Sequence, residues 1–181
     1  MFRLGANGGI SDSAEAKVTW KAMDSTLLLR HTLATLAYRA LRALHSAPPG
    51  FAGFRASAGS RSAIEVLAHM GDLLDWAARS LGGDRSWHAL PPADWDTEKD
   101  RFFGELTRFD QALQQQSAES APDDLALRLF QGPIADALTH VGQLALLRGL
   151  AGAPVKSENY FVADILPGRT TAVQPPPRRN F

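Results

Sequence analysis

The sequence predicts an all-α protein, a four-helix bundle, and three observations carry that expectation. Apolar residues recur at three- and four-residue steps through three long stretches. A fourth stretch of helical length, Gly132 to Gly149, is apolar over most of its circumference. No segment sustains the strict alternation of a half-buried strand. At 181 residues and 45% hydrophobic content, the chain suits one domain with a core large enough to fold unaided.

Residues 1–18 are rich in Gly, Ser, Asp and Ala without an apolar period, the composition of a flexible arm. The helical domain is expected over 19–152. Its first helix runs from about Ser25 to Leu44, with Leu29, Leu33, Leu36, Ala37, Ala40, Leu41 and Leu44 as the core stripe, and ends before Pro48-Pro49-Gly50. His31, Thr35, Tyr38 and Arg42 share its opposite face and read as a solvated stripe. Ser62-Ala63-Ile64-Glu65 is a capping box that opens a second helix, which Gly82-Gly83 stops after Leu81.

A third helix is predicted from a cap at Asp96 or Thr97 to about Gln116, with Phe102, Leu106, Phe109 and Leu113 as its stripe. Asp123 to Phe130 is compatible with either extended or helical structure. Pro133 suits the first position of the last helix, where its missing N–H is no loss, and Gly149 or Gly152 can provide the left-handed stop. Residues 153–181 form an extension whose aromatic part, Tyr160-Phe161, is expected to pack back on the bundle, with a mobile tail from 175.

Lys+Arg and Asp+Glu each number 19, and no block of like charge stands out, so nothing in the composition supports nucleic-acid binding. There is no cysteine, which excludes a disulfide frame, a thiol nucleophile and thiolate metal ligands. No segment is apolar for long enough to span a membrane, no signal-peptide core is present at the N-terminus, and a cytoplasmic location is expected.

The chemistry converges on the last helix. At about 100° per residue, Asp136, His140 and Gln143 fall within about 60° of one another, beside a broad apolar arc. Asp136 and His140 are one turn apart, the spacing that lets two ligands meet one metal ion, although such a pair on a helix is also a common hydrogen-bonded surface feature. On the second helix His69 sits at the edge of the apolar arc, with Glu65, Asp72, Leu73 and Trp76 within about 60° of it. Histidine is the commonest metal ligand, and this one can face the Asp136–His140 helix. His88 lies in a loop without such neighbours and stays outside the site.

Ile64-Glu65-Val66-Leu67-Ala68-His69 and His140-Val141-Gly142-Gln143-Leu144 together resemble motifs of the DinB-like (YfiT-like) family over about Ser25 to Gly152. Members of that family are four-helix bundles in which a His of the second helix and a His-x-x-x-His pair of the fourth bind a divalent metal. The resemblance implies the triad His69, Asp136 and His140, with Asp136 standing where the family most often has its first helix-four His. Two imidazoles and one carboxylate suit Zn, Ni, Mn or Fe(II). It also implies a metal-dependent hydrolase or a thiol-dependent transferase acting on a small-molecule substrate. Gln143, Asp72 and Glu65 are the nearest groups for orienting ligands or moving protons. The other reading is a non-enzymatic helical-bundle binding protein with a structural or vestigial metal site. Apolar residues outside the best single core, Leu28, Leu146 and Tyr160-Phe161, suggest a homodimer under either reading.

Overall fold

A computed structural model describes residues 25–116 and 123–178. The expected N-terminal arm, 1–18, lies outside the described residues, as do the last three positions of the expected tail. Four long helices form the bundle: α1 (Ser25–Leu44), α2 (Ala63–Leu81), α3 (Trp95–Gln115) and α5 (Ala135–Leu150). A short α4 (Asp123–Leu129) precedes α5, and there is no strand among the described residues. No helix among them is long and apolar enough to cross a membrane.

The apolar stripes read from the sequence meet in one core. Leu33, Leu36 and Leu44 of α1, Leu67, Met70 and Leu74 of α2, Phe102, Leu106 and Phe109 of α3 and Leu144 of α5 are all buried within it. Local signals hold at the start of α2, where the Ser62 side chain accepts from the Glu65 N–H and Glu65 accepts from the Ser62 N–H at 2.7 Å. At α3 the cap is Asp94, two residues earlier than expected, and its carboxylate accepts from the backbone N–H groups of Asp96 and Thr97.

Pro133 does not start a helix. It lies inside a π-helical turn, Phe130–Ile134, that joins α4 to α5 without a break. The wide turn accommodates a residue that lacks an N–H and would crowd the preceding carbonyls of a regular helix, and it shifts the helical register just before Asp136. Gly152, at φ +76°, is the left-handed stop, and Gly149 stays within the helix.

Specific pairs establish the helix directions. Arg101 meets Asp72, Arg108 meets Asp75 and Gln116 meets the Leu81 carbonyl, so α2 and α3 run parallel. Arg30 at the start of α1 forms a two-pronged pair with Asp110 near the end of α3, which makes those helices antiparallel. Arg148 near the end of α5 donates to the carbonyls of Ala43 and His45 at the end of α1, so α1 and α5 are parallel. The order is therefore up, down, down, up. Parallel α2 and α3 oblige the 13 residues between Leu81 and Trp95 to return along the bundle. They must span about 28 Å of helix, well within an extended reach of about 43 Å.

The expected solvated stripe on α1 is half covered. His31 is exposed, but Tyr38 is 0% exposed because the chain after α5 returns over it. Glu158 accepts from both the Tyr38 hydroxyl and Arg42, Tyr160 packs edge-on against Tyr38 at 6.2 Å, and Thr170 bonds Thr107 of α3. The Pro175 carbonyl accepts from Arg42, so this end too is tied to α1. Of the aromatic pair, Tyr160 packs on the bundle and Phe161 points to solvent.

The α2–α3 joint holds a buried ionic cluster. The Arg101 guanidinium reaches Asp72 at 2.7 Å, Glu98 at 2.8 Å and the Ala68 carbonyl at 2.7 Å, and both carboxylates are nearly fully buried. A Cβ on Gly71 would lie 2.8 Å from the Arg101 Cζ, so a side chain there displaces the guanidinium from its seat across α2. Arg101→Met is expected to cost about 3–5 kcal/mol, because it strands two buried carboxylates. Gly71→Ala should destabilise as well, although alanine is normally the better helix former. Urea unfolding followed by circular dichroism checks both.

Candidate metal centre

The antiparallel contact of α2 with α5 brings His69 opposite Asp136 and His140. One ligating atom from each of the three lies within 4.8 Å of the others. His69 Nε2 is 3.6 Å from Asp136 Oδ2, and His140 Nε2 is 3.4 Å from Asp136 Oδ1. The two imidazoles meet edge to face, with ring centres 5.0 Å apart. Ligand atoms about 2.1 Å from a shared tetrahedral ion stand about 3.4 Å apart, and the two Asp136 contacts, one through each carboxylate oxygen, come close to that spacing.

Each ring is held by its surroundings. His140 is buried, and its Nδ1 lies 2.7 Å from Gln143 Oε1, one turn further along α5. An amide oxygen only accepts, so the Nδ1–H donates to it, and Nε2 faces His69 and Asp136. His69 is partly buried against Trp87, whose ring centre is 5.9 Å away. Desolvation, then the nearby positive charge of Arg61 and the His140 ring, hold the His69 pKa below the ordinary imidazole value, against the opposing pull of Asp136. The lowered pKa favours the neutral form of His69, the form that ligates. The Asp136 side chain is 46% exposed, so the triangle opens to solvent on its side.

Two of the expected helper residues are committed elsewhere. Glu65 is occupied by Ser62 and Arg55, which bring its pKa down to about 2. Asp72 turns toward α3 and pairs with Arg101. Of these three, Gln143 touches the triad. Trp87 was not legible as a site residue, because it sits in the crossover and reaches His69 only through the parallel path of α2 and α3. Beside Asp136 opens a cleft of about 630 Å³, with Leu73, Trp76 and Trp87 on one side and Arg128, Pro133 and Asp136 on the other. Its size is that of a small-molecule site.

No family model matches this chain, and comparison with curated proteins and with solved structures finds no match.

The role assigned to Gln143 is testable. Gln143→Leu removes the acceptor that fixes the His140 tautomer, and divalent-ion affinity measured by calorimetry should fall about 10- to 100-fold while the melting temperature stays within a few degrees. Gln143→Glu, which keeps an acceptor, should retain affinity.

Proposed function

We propose that this protein binds one divalent metal ion through His69, Asp136 and His140 and uses it in hydrolysis, or in a transferase reaction with a thiol substrate, in the manner its resemblance to DinB-like proteins implies. The observation that carries the reading is the convergence of the triad, with one ligating atom of each residue within 4.8 Å of the others. Among the described residues, Asp136 meets only the two imidazoles and no Arg or Lys side chain. The charged carboxylates at the α2–α3 joint, by contrast, share a guanidinium. A carboxylate and two imidazole nitrogens that converge on one point with no guanidinium or ammonium among them make a donor set that suits a divalent ion.

When bound, such an ion provides Lewis acidity toward a carbonyl or toward water. The chain's own part is to hold three donors on one side and leave the other side open toward the cleft. Gln143 holds the His140 ring with Nε2 toward the other two donors, and Trp87 shields one edge of His69 from water.

Stoichiometric binding of Zn, Ni, Mn or Fe(II) to chelator-treated protein, read by calorimetry and elemental analysis, tests the reading. His69→Ala or His140→Ala should abolish it, and equal binding by the double variant would end the proposal. Asp136→His should keep a metal, because it replaces one donor with another and restores the family's usual trio, but shift preference toward Zn or Ni. Since imidazoles ligate only when neutral, affinity should fall as pH drops below about 6.5, and the depressed pKa of His69 delays its own part of that loss to lower pH.

Assembly as a homodimer belongs to the same proposal. Leu146 and Leu150, 63% and 57% exposed, are one turn apart on α5 and offer an apolar strip to a like subunit. Light scattering at micromolar concentration should give about twice the mass of one chain, and a value near 19.6 kDa would overturn it.

A further inference from the structure

The cleft beside Asp136 has a composition that specifies its occupant. Two indoles line it, and each is anchored by its surroundings. Trp76 donates its Nε1–H to the Arg85 carbonyl at 3.0 Å, and Trp87 lies against His69. Leu73 and Pro133 add apolar wall. Trp87 nevertheless remains 46% exposed, on a loop that is exposed throughout residues 82–94. Anchored, half-open indoles facing a cleft make a surface for a flat ring, because stacking adds to area burial and the protein loses little side-chain freedom on binding.

The charges in the lining have opposite signs and opposite duties. Asp136 belongs to the triad. Arg128 is a cation, and its partner in the structure is Asp124, one turn back on α4 at 2.7 Å with both side chains about two-thirds exposed. Such an exposed pair is worth little, so the guanidinium exchanges it at small cost for an anion brought into the cleft. A carboxylate there gains a planar two-pronged partner, while the same carboxylate placed at Asp136 would be repelled.

We propose that the cleft binds a planar aromatic acid, its ring against Trp76 and Trp87, its carboxylate on Arg128 and its opposite edge toward the triad. This deepens the metal-dependent reading and rests on it for what happens at the triad edge. The ring and acid subsites stand on their own observations.

The probe is 2-naphthoate, compared with its neutral counterpart 2-naphthamide and with the non-planar cyclohexanecarboxylate. The readout is the set of tryptophan indole N–H resonances of 15N-labelled protein, with and without one equivalent of zinc. Naphthoate is expected to shift the Trp76 and Trp87 signals and leave that of Trp95, which packs on Phe51 away from the cleft, in place. Naphthamide and cyclohexanecarboxylate should each bind about tenfold or more weakly. Trp87→Leu should weaken naphthoate about tenfold, and Arg128→Gln should abolish the preference for acid over amide while leaving ring binding. Both variants alter exposed positions, so the folded spectrum should otherwise persist. If zinc binds stoichiometrically and millimolar naphthoate moves neither indole, or acid and amide bind equally to the wild type, the cleft proposal is wrong and the metal reading survives. If naphthoate shifts both indoles, shows its Arg128 dependence, and zinc fails to bind at all, the cleft proposal stands and the metal reading falls.

Discussion

The bundle depends on the Arg101 fork. One guanidinium joins Asp72 and the Ala68 carbonyl of α2 to Glu98 of α3, in a space that exists because residue 71 has no side chain. An ionic cluster this buried is a demanding contact, because desolvating two carboxylates is offset only if every partner is in place. That demand selects one rotation of α2 about its axis. With Asp72 turned to α3, His69, three residues earlier, is carried to the side where α5 lies. The orientation of the candidate ligand is thus set by a cluster that takes no part in the site.

The parallel run of α2 and α3 has a second consequence. A connection between parallel neighbours must travel the length of the bundle, and here that return path carries Trp87 over His69 and the Arg85 carbonyl to Trp76. The opposite face of the bundle is closed by the chain after α5, where Glu158 satisfies the buried Tyr38 hydroxyl and Thr170 meets Thr107. One side of the molecule is therefore sealed by polar ties, and the other keeps an open cleft beside a carboxylate. Several charged groups elsewhere in the fold are matched: Arg30 with Asp110, Arg42 with Glu158, Arg79 with Asp75. The triad differs from these pairs in joining one carboxylate to two imidazoles, with no Arg or Lys side chain among them.

The π turn before α5 shows how local irregularity serves position. Pro133 is tolerated where the helix widens, and the register it leaves places Asp136 and His140 one regular turn apart on the α2 side. Gln143 follows on the same stripe and bonds His140, so three of the residues at the site are organised by α5 alone. His69 is the only ligand that α2 must deliver.

By itself the sequence determined what depends on a few neighbouring residues. The helical stripes, the Ser62–Glu65 cap, the stop near Gly152 and the shared face of Asp136, His140 and Gln143 all follow from a 3.6-residue period and from hydrogen bonds spanning one turn, which no distant segment can alter. The wheel also put His69 at the edge of the second helix's apolar arc, and the resemblance to DinB-like proteins implied that it joins Asp136 and His140. Only the tertiary structure decided what depends on helix rotation and chain path: that His69 meets Asp136 at 3.6 Å, that Asp72 turns to Arg101 rather than to the site, that Tyr38 is buried, and that Trp87 belongs at the cleft. A helical wheel orders side chains around their own axis but says nothing of which neighbour each sector meets, because that is settled by packing between segments dozens of residues apart.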